Sequence, residues 1–161
     1  MDQHTNPSRD SKRPTAWFGW VVAVLFVALA WGAALQSRSG GGSSELAGWE
    51  VGLDAGQAKA QEMDRPMVVL FTASWCGPCQ QMKKNVLTQP EVNAALQAGF
   101  VPVQVDLTDT SANGPNAQAA NRYGVRGIPT VIAMNPDGEP IASFKGERSV
   151  AGFNRWLSGI E

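Results

Sequence analysis

Met67-Val68-Val69-Leu70-Phe71-Thr72-Ala73-Ser74-Trp75-Cys76-Gly77-Pro78-Cys79 contains the only two cysteines of the 161-residue chain, three positions apart behind an apolar run. The run from Met67 to Ala73 is short and bounded by Pro66 and Ser74, the pattern of a buried strand. A helix is expected to follow. Gly77 and Pro78 suit its first turn, where proline lacks only a donor that has no helical partner anyway, and Met82, Val86 and Leu87 fall on one face. Cys76 is thereby expected at a strand-to-helix junction, where helix amides and the positive end of the dipole favour a thiolate.

Spacing separates a redox pair from its rivals. A structural zinc site needs four ligands, commonly two such cysteine pairs or one pair with two histidines. The chain has no second pair, and its one histidine, His4, stands in a polar tail. No metal site and no cofactor are therefore expected. A purely structural bridge is the blander alternative, but closing so short a loop constrains the unfolded chain very little.

The second half supports the redox reading. Tyr123-Gly124-Val125-Arg126-Gly127-Ile128-Pro129-Thr130 leads into the apolar run Val131-Ile132-Ala133-Met134. Asn135-Pro136-Asp137-Gly138-Glu139 and then Pro140-Ile141-Ala142-Ser143-Phe144-Lys145-Gly146 follow. This reads as a tight turn, a strand, a turn dense in Pro, Asp and Gly, and a returning strand. WCGPC and RGIPT, followed by a hairpin and a terminal helix, closely resemble thioredoxin, over about Trp49 to Ile160. The resemblance implies a cis Pro129 beside the cysteines, with the Ile128 backbone free to pair with a substrate strand. It further implies that Cys76 is the nucleophile and Cys79 the resolving thiol. Trp75 and Pro129 would form an apolar docking surface, with Gly77 and Pro78 tuning the pair. A Gly-Pro spacer in that family favours a reductase.

Three departures from the family pattern stand out. Cys76 and Pro129 lie 53 positions apart, wider than in a minimal thioredoxin, the extra length falling in the polar stretch Thr108 to Gln118, read as a surface loop. Leu70 occupies the position where the family usually has a buried aspartate that helps move the proton of the second thiol. Pro102 occupies that of its lysine partner. Losing both together is coherent, since either charge alone would be costly to bury. Glu62, Asp64, Lys83 or water are the candidates to assist Cys79.

Ala16 to Leu35 is a 20-residue stretch without a charge, which at helical rise matches a hydrocarbon core of ~30 Å. Trp17, Trp20 and Trp31 suit its interfaces, and Arg9, Lys12 and Arg13 precede it while only Arg38 follows closely, which places the N-terminus in the cytoplasm. The expected organisation is a cytoplasmic tail 1–15, a transmembrane anchor 16–35, a Gly/Ser tether 36–44 and one domain 45–161. A cleaved signal peptide, ending near Ala33-Ala34, is the alternative to the anchor. Either places the cysteines in an extracytoplasmic, periplasm-like space. The domain carries nine Lys and Arg against twelve Asp and Glu, a net of −3, so no nucleic-acid partner is expected.

The rest of the domain reads as an edge strand at Trp49 to Leu53 and a helix capped by Asp54 and running to Met63. Further on come a helix from Pro90 to Ala98, a strand from Phe100 to Asp106 and a helix from Asn116 to Tyr123. A last helix is capped by Ser149, with Val150, Phe153, Leu157 and Ile160 as its inward stripe and Trp156 at the core edge. The expected fold class is α/β: a thioredoxin fold with a mixed sheet and helices on both faces.

A dithiol held in an oxidising compartment needs an electron donor that works across the membrane. In arrangement the chain resembles membrane-anchored thioredoxin-like proteins of cytochrome c maturation and the reducing domain of DsbD-type transporters. Disulfide-containing exported proteins are the implied substrates. The same chemistry run as oxidase or isomerase, and a redox-inactive binding module on the same fold, are the competing readings. No CxxCH is present, so the chain is not itself a c-type haem carrier.

Overall fold

The computed structural model describes residues 46–109, 113–144 and 149–160. The tail 1–15, the apolar span 16–35 and the tether 36–44 lie outside them, and among the described residues no helix is long and apolar enough to cross a membrane.

The run read as a strand is β2, Met67–Thr72, with every residue buried. It lies at the centre of a five-stranded sheet ordered β1-β3-β2-β4-β5, where β1 is Glu50–Val51, β3 Val101–Asp106, β4 Thr130–Met134 and β5 Pro140–Phe144. β1 and β2 run parallel to β3, whereas β4 is antiparallel to β2 and β5 to β4. A central strand covered on both faces has no solvent side, so it reads as a continuous apolar run instead of an alternating one.

Alternation in the strands sorts the core into two layers. Met67, Val69 and Phe71 of β2, with Val101, Val103 and Val105 of β3, face α1 (Leu53–Met63) and α4 (Pro115–Arg122). Val68 and Leu70 face the other way, toward α2 (Gly77–Met82), α3 (Pro90–Gly99) and α5 (Val150–Leu157). Helices therefore cover both faces, as expected. Ser149 caps α5, its Oγ accepting the Gly152 N–H at 3.0 Å. Phe153 and Leu157 are buried beneath that helix. Trp156 packs against Phe144 and Phe153, each with ring centroids 5.4 Å away, at the core edge.

Three local expectations are corrected. β1 is only two residues long, because Gly52 at φ 88° turns the chain out of the sheet and serves as the N-cap of α1. Asp54 is therefore not the cap; it stands in the first helical turn, where its carboxylate suits the positive end of the dipole. Of the stretch Thr108 to Gln118, the last four residues are helix: α4 starts at Pro115, whose missing donor costs nothing in a first turn.

Candidate active site

β2 ends at Thr72, and the chain crosses the top of the sheet through Ala73, Ser74 and Trp75. Hydrogen bonds hold this crossing from both sides. Cys76 N–H donates to the Ala73 carbonyl at 3.2 Å, and Gln80 Nε2 donates to the Ala73 and Ser74 carbonyls at 3.2 and 3.3 Å. Ser74 N–H donates to Thr108 Oγ1 at 2.8 Å, and Thr108 N–H donates to Asp106 Oδ1 at 2.8 Å. The loop after β3 thus supports the approach to the cysteines, a role not read from the sequence. The Asp-x-Thr pattern at the end of a strand was its available signal, since Asp side chains close such turns on the backbone two residues on.

Cys76 is the N-cap of α2, and Pro78 stands in its first turn. The capping atom is sulfur: Cys79 N–H donates to Cys76 Sγ at 3.2 Å. A backbone donor fixed on that atom favours negative charge there when the bridge to Cys79 is open. The two cysteines are joined as a disulfide. Both residues are buried, Cys76 at 5% exposure and Cys79 at 0%.

The facing wall is the turn before β4. Thr130 Oγ1 donates to the Gly127 carbonyl at 2.6 Å, and the Ile128–Pro129 bond is cis. The Ile128 carbonyl oxygen lies 3.7 Å from Cys76 Sγ, and its side chain packs on Ala73, Cys76 and Cys79. The fold therefore brings Ile128 and Pro129 to the cysteine pair across 52 residues of chain. Trp75, Gly77 and Pro78 are exposed beside it, with Trp75 at 65%, one of three large exposed hydrophobic side chains among the described residues.

Leu70 is fully buried, registered against Gln104 of β3 and Val131 of β4. Pro102 is buried opposite Val68, just below the point where β1 begins to pair at Val103. There β3 has only one neighbour, which is where a sheet tolerates proline. Among the candidates to assist Cys79, Glu62 and Asp64 are exposed near the start of β2, the opposite end from Cys76, and drop out. Lys83 is buried one helical turn after Cys79, its N–H donating to the Cys79 carbonyl.

A cysteine capped by its partner's amide and faced by a cis-proline turn, at the end of a central strand, is a site of thioredoxin type. A family model of the thioredoxin-like domain matches residues 53–160, and the chain belongs to that family. It is similar to the thiol:disulfide interchange protein DsbD of Neisseria meningitidis, 32% identical over 142 residues, 80% of this chain. The C-terminal domain of DsbD from the same species, solved in its reduced form, aligns at TM-score 0.56 and 31% identity, covering 67% of this chain and 92% of that one. A thioredoxin from Thermus thermophilus aligns at TM-score 0.59 and 30% identity, covering 70% and 87%. The chain spans 23% of the length of the Neisseria interchange protein and 15% of its Klebsiella pneumoniae counterpart.

Proposed function

We propose that this chain is a membrane-anchored thiol:disulfide oxidoreductase that reduces disulfides of exported proteins through Cys76 and Cys79. The observation that carries the reading is the setting of one sulfur. Cys76 Sγ receives an amide from Cys79 on the helix side and faces the Ile128 carbonyl at 3.7 Å on the other. Similarity to interchange proteins supports the same chemistry.

In the reducing direction the Cys76 thiolate attacks one sulfur of a substrate disulfide. A Cys76–substrate bond forms, and the second substrate sulfur leaves as a thiolate that takes up a proton. Cys79 then loses its proton and attacks Cys76 Sγ; the Cys76–Cys79 bond forms, the mixed bond breaks, and two electrons have passed to the substrate. Trp75 and Pro129 flank the exchange as apolar surface, and the Ile128 backbone pairs with the substrate strand. The Gly77-Pro78 spacer favours this direction over oxidase or isomerase.

The span 16–35 as anchor and 36–44 as tether place the domain on the periplasmic side, where a membrane electron donor returns the pair to the dithiol. Cytochrome c biogenesis, with its haem-site cysteines, is a fitting destination for the electrons.

Replacing Cys79 with serine tests the reading. Cys79→Ser is expected to accumulate substrates as mixed disulfides on Cys76, read on non-reducing gels of membranes. Capture that persists when Cys76 is also replaced would point to a binding module instead. The reduction potential of the pair, equilibrated against thiol buffers, then separates reductase from oxidase.

A further inference from the structure

Between Thr72, the last residue of β2, and Cys76, the N-cap of α2, the chain crosses in three residues. Ala73 is fully buried, whereas Ser74 and Trp75 are exposed, Trp75 at 65%. An aromatic side chain on an exposed crossing makes a poor docking surface if its backbone must be ordered on contact, because that ordering subtracts from binding. Here the backbone is held beforehand.

Ser74 is tied through both of its backbone groups, by two different elements. Its carbonyl accepts from Gln80 Nε2 at 3.3 Å, on the helix that carries the cysteines. Its N–H donates to Thr108 Oγ1 at 2.8 Å, in the loop after β3. Just past the end of β3, Leu107 N–H donates to the Thr72 carbonyl at 2.7 Å. The Thr108 hydroxyl therefore carries the pairing of β2 with β3 one step beyond the strands, to the residue before Trp75.

The hydroxyl is itself aimed. It donates to Asp106 Oδ1, which also accepts the Thr108 N–H at 2.8 Å. With its one proton committed to the carboxylate, the oxygen presents only lone pairs to Ser74. Asp106 is fixed in turn, registered against Thr72 in the sheet and accepting Asn116 Nδ2 of α4 on its carbonyl at 2.8 Å. This chain of bonds runs from the sheet to the crossing without using the groups that set the sulfur. Cys76 Sγ has its own surroundings, the Cys79 amide and the Ile128 carbonyl.

We propose that Thr108 is a specificity-determining residue for peptide disulfides, positioning Trp75 through the Ser74 backbone as a preformed surface for the chain that flanks the substrate disulfide. The inference rests on the thiol–disulfide reading of the site. Thr108 acts on docking and leaves the exchange itself to Cys76 and Cys79. Its contribution is therefore felt only by a substrate large enough to reach Trp75. A disulfide with no peptide around it is attacked at the rate that the setting of Cys76 dictates.

The test compares two disulfides on the full-length reduced protein. One is a synthetic pair of peptides joined by a single disulfide and turned over with dithiothreitol as the electron source. The other is hydroxyethyl disulfide, its reduction read as loss of protein thiols. Thr108→Val keeps the shape of the side chain and removes the hydroxyl. It is expected to raise KM for the peptide about fivefold, the ratio that one ordinary hydrogen bond is worth, while kcat and the rate on hydroxyethyl disulfide stay within about twofold. Thr108→Ser keeps the hydroxyl and should restore KM. Trp75→Ala should raise the same KM, and adding Thr108→Val to it should cause no further loss, since residues that act through one contact do not add. An unchanged KM, equal slowing on both disulfides, or additive losses in the double variant overturns the assignment of Thr108 alone. A wild-type protein that reduces neither disulfide overturns the thiol–disulfide reading, and this inference with it.

Discussion

The two faces of the central sheet are built from alternating residues of the same strands, yet they differ in kind. On one, Met67, Val69, Phe71, Val101, Val103 and Val105 pack on α1 and α4 in a layer without a buried polar side chain among the described residues. On the other, Thr72 and Gln104 accompany Val68 and Leu70 beneath the helix that bears Cys79 and Lys83. A one-residue step along β2 thus moves from a layer that only needs to exclude water to one placed under reacting sulfurs. Stability and chemistry are divided between the faces, and substitutions on each should fail in different ways.

Phe71→Ala is the largest expected effect. The ring is fully buried on the apolar face, 6.4 Å from the Tyr123 ring centroid. Its loss should cost about 3–5 kcal/mol in denaturant unfolding, while the reduction potential of the folded protein stays at the wild-type value. A clear change in potential would break the division, because it would mean that packing on this face reaches the sulfurs.

Gly56→Ala probes the same face at its tightest point. A Cβ on Gly56 would lie 2.3 Å from Val103 Cγ2 and 2.8 Å from Cγ1, and a branched side chain in a packed strand has little room to give. Overpacking costs ~1–3 kcal/mol, against a helix-propensity gain of up to ~1 kcal/mol. A net loss of about 1–2 kcal/mol is expected in the same unfolding experiment. An unchanged or raised stability would show that α1 shifts readily on the sheet.

Legibility in the sequence also differed between the two faces. The apolar face announced itself, since Met67 to Phe71 and Val101 to Val105 could hardly be anything but buried strand. The redox pair and the turn at Pro129 were equally open, because cysteine spacing and the Gly-Ile-Pro-Thr segment carry their own constraints. Features that depend on backbone hydrogen bonding were not readable. The cap of α1 went to Gly52 through its positive φ and not to Asp54 through its side chain. The π turn at Lys83–Leu87 leaves no mark on residue pattern. Lys83 is the instructive case: its position completes the stripe of Cys79, Met82, Val86 and Leu87, but a lysine there is naturally read as solvated. Only packing shows that it is inside.

Thr72→Val is the smallest expected change, and its sign is the informative part. Thr72 is fully buried, and its Oγ1 has no hydrogen-bond partner within the described protein. Valine has nearly the same shape and suits a strand, and it removes a hydroxyl whose burial without a partner costs about 1–3 kcal/mol. A layer built for stability would carry valine here, as β2 does at Val68 and Val69. Denaturant unfolding should therefore show a gain of about 1 kcal/mol, in the opposite direction to both substitutions on the apolar face. If stability falls instead, the hydroxyl is satisfied in solution. The polar layer would then be a bonded structural unit, and the contrast between the faces would lie in how each is held together.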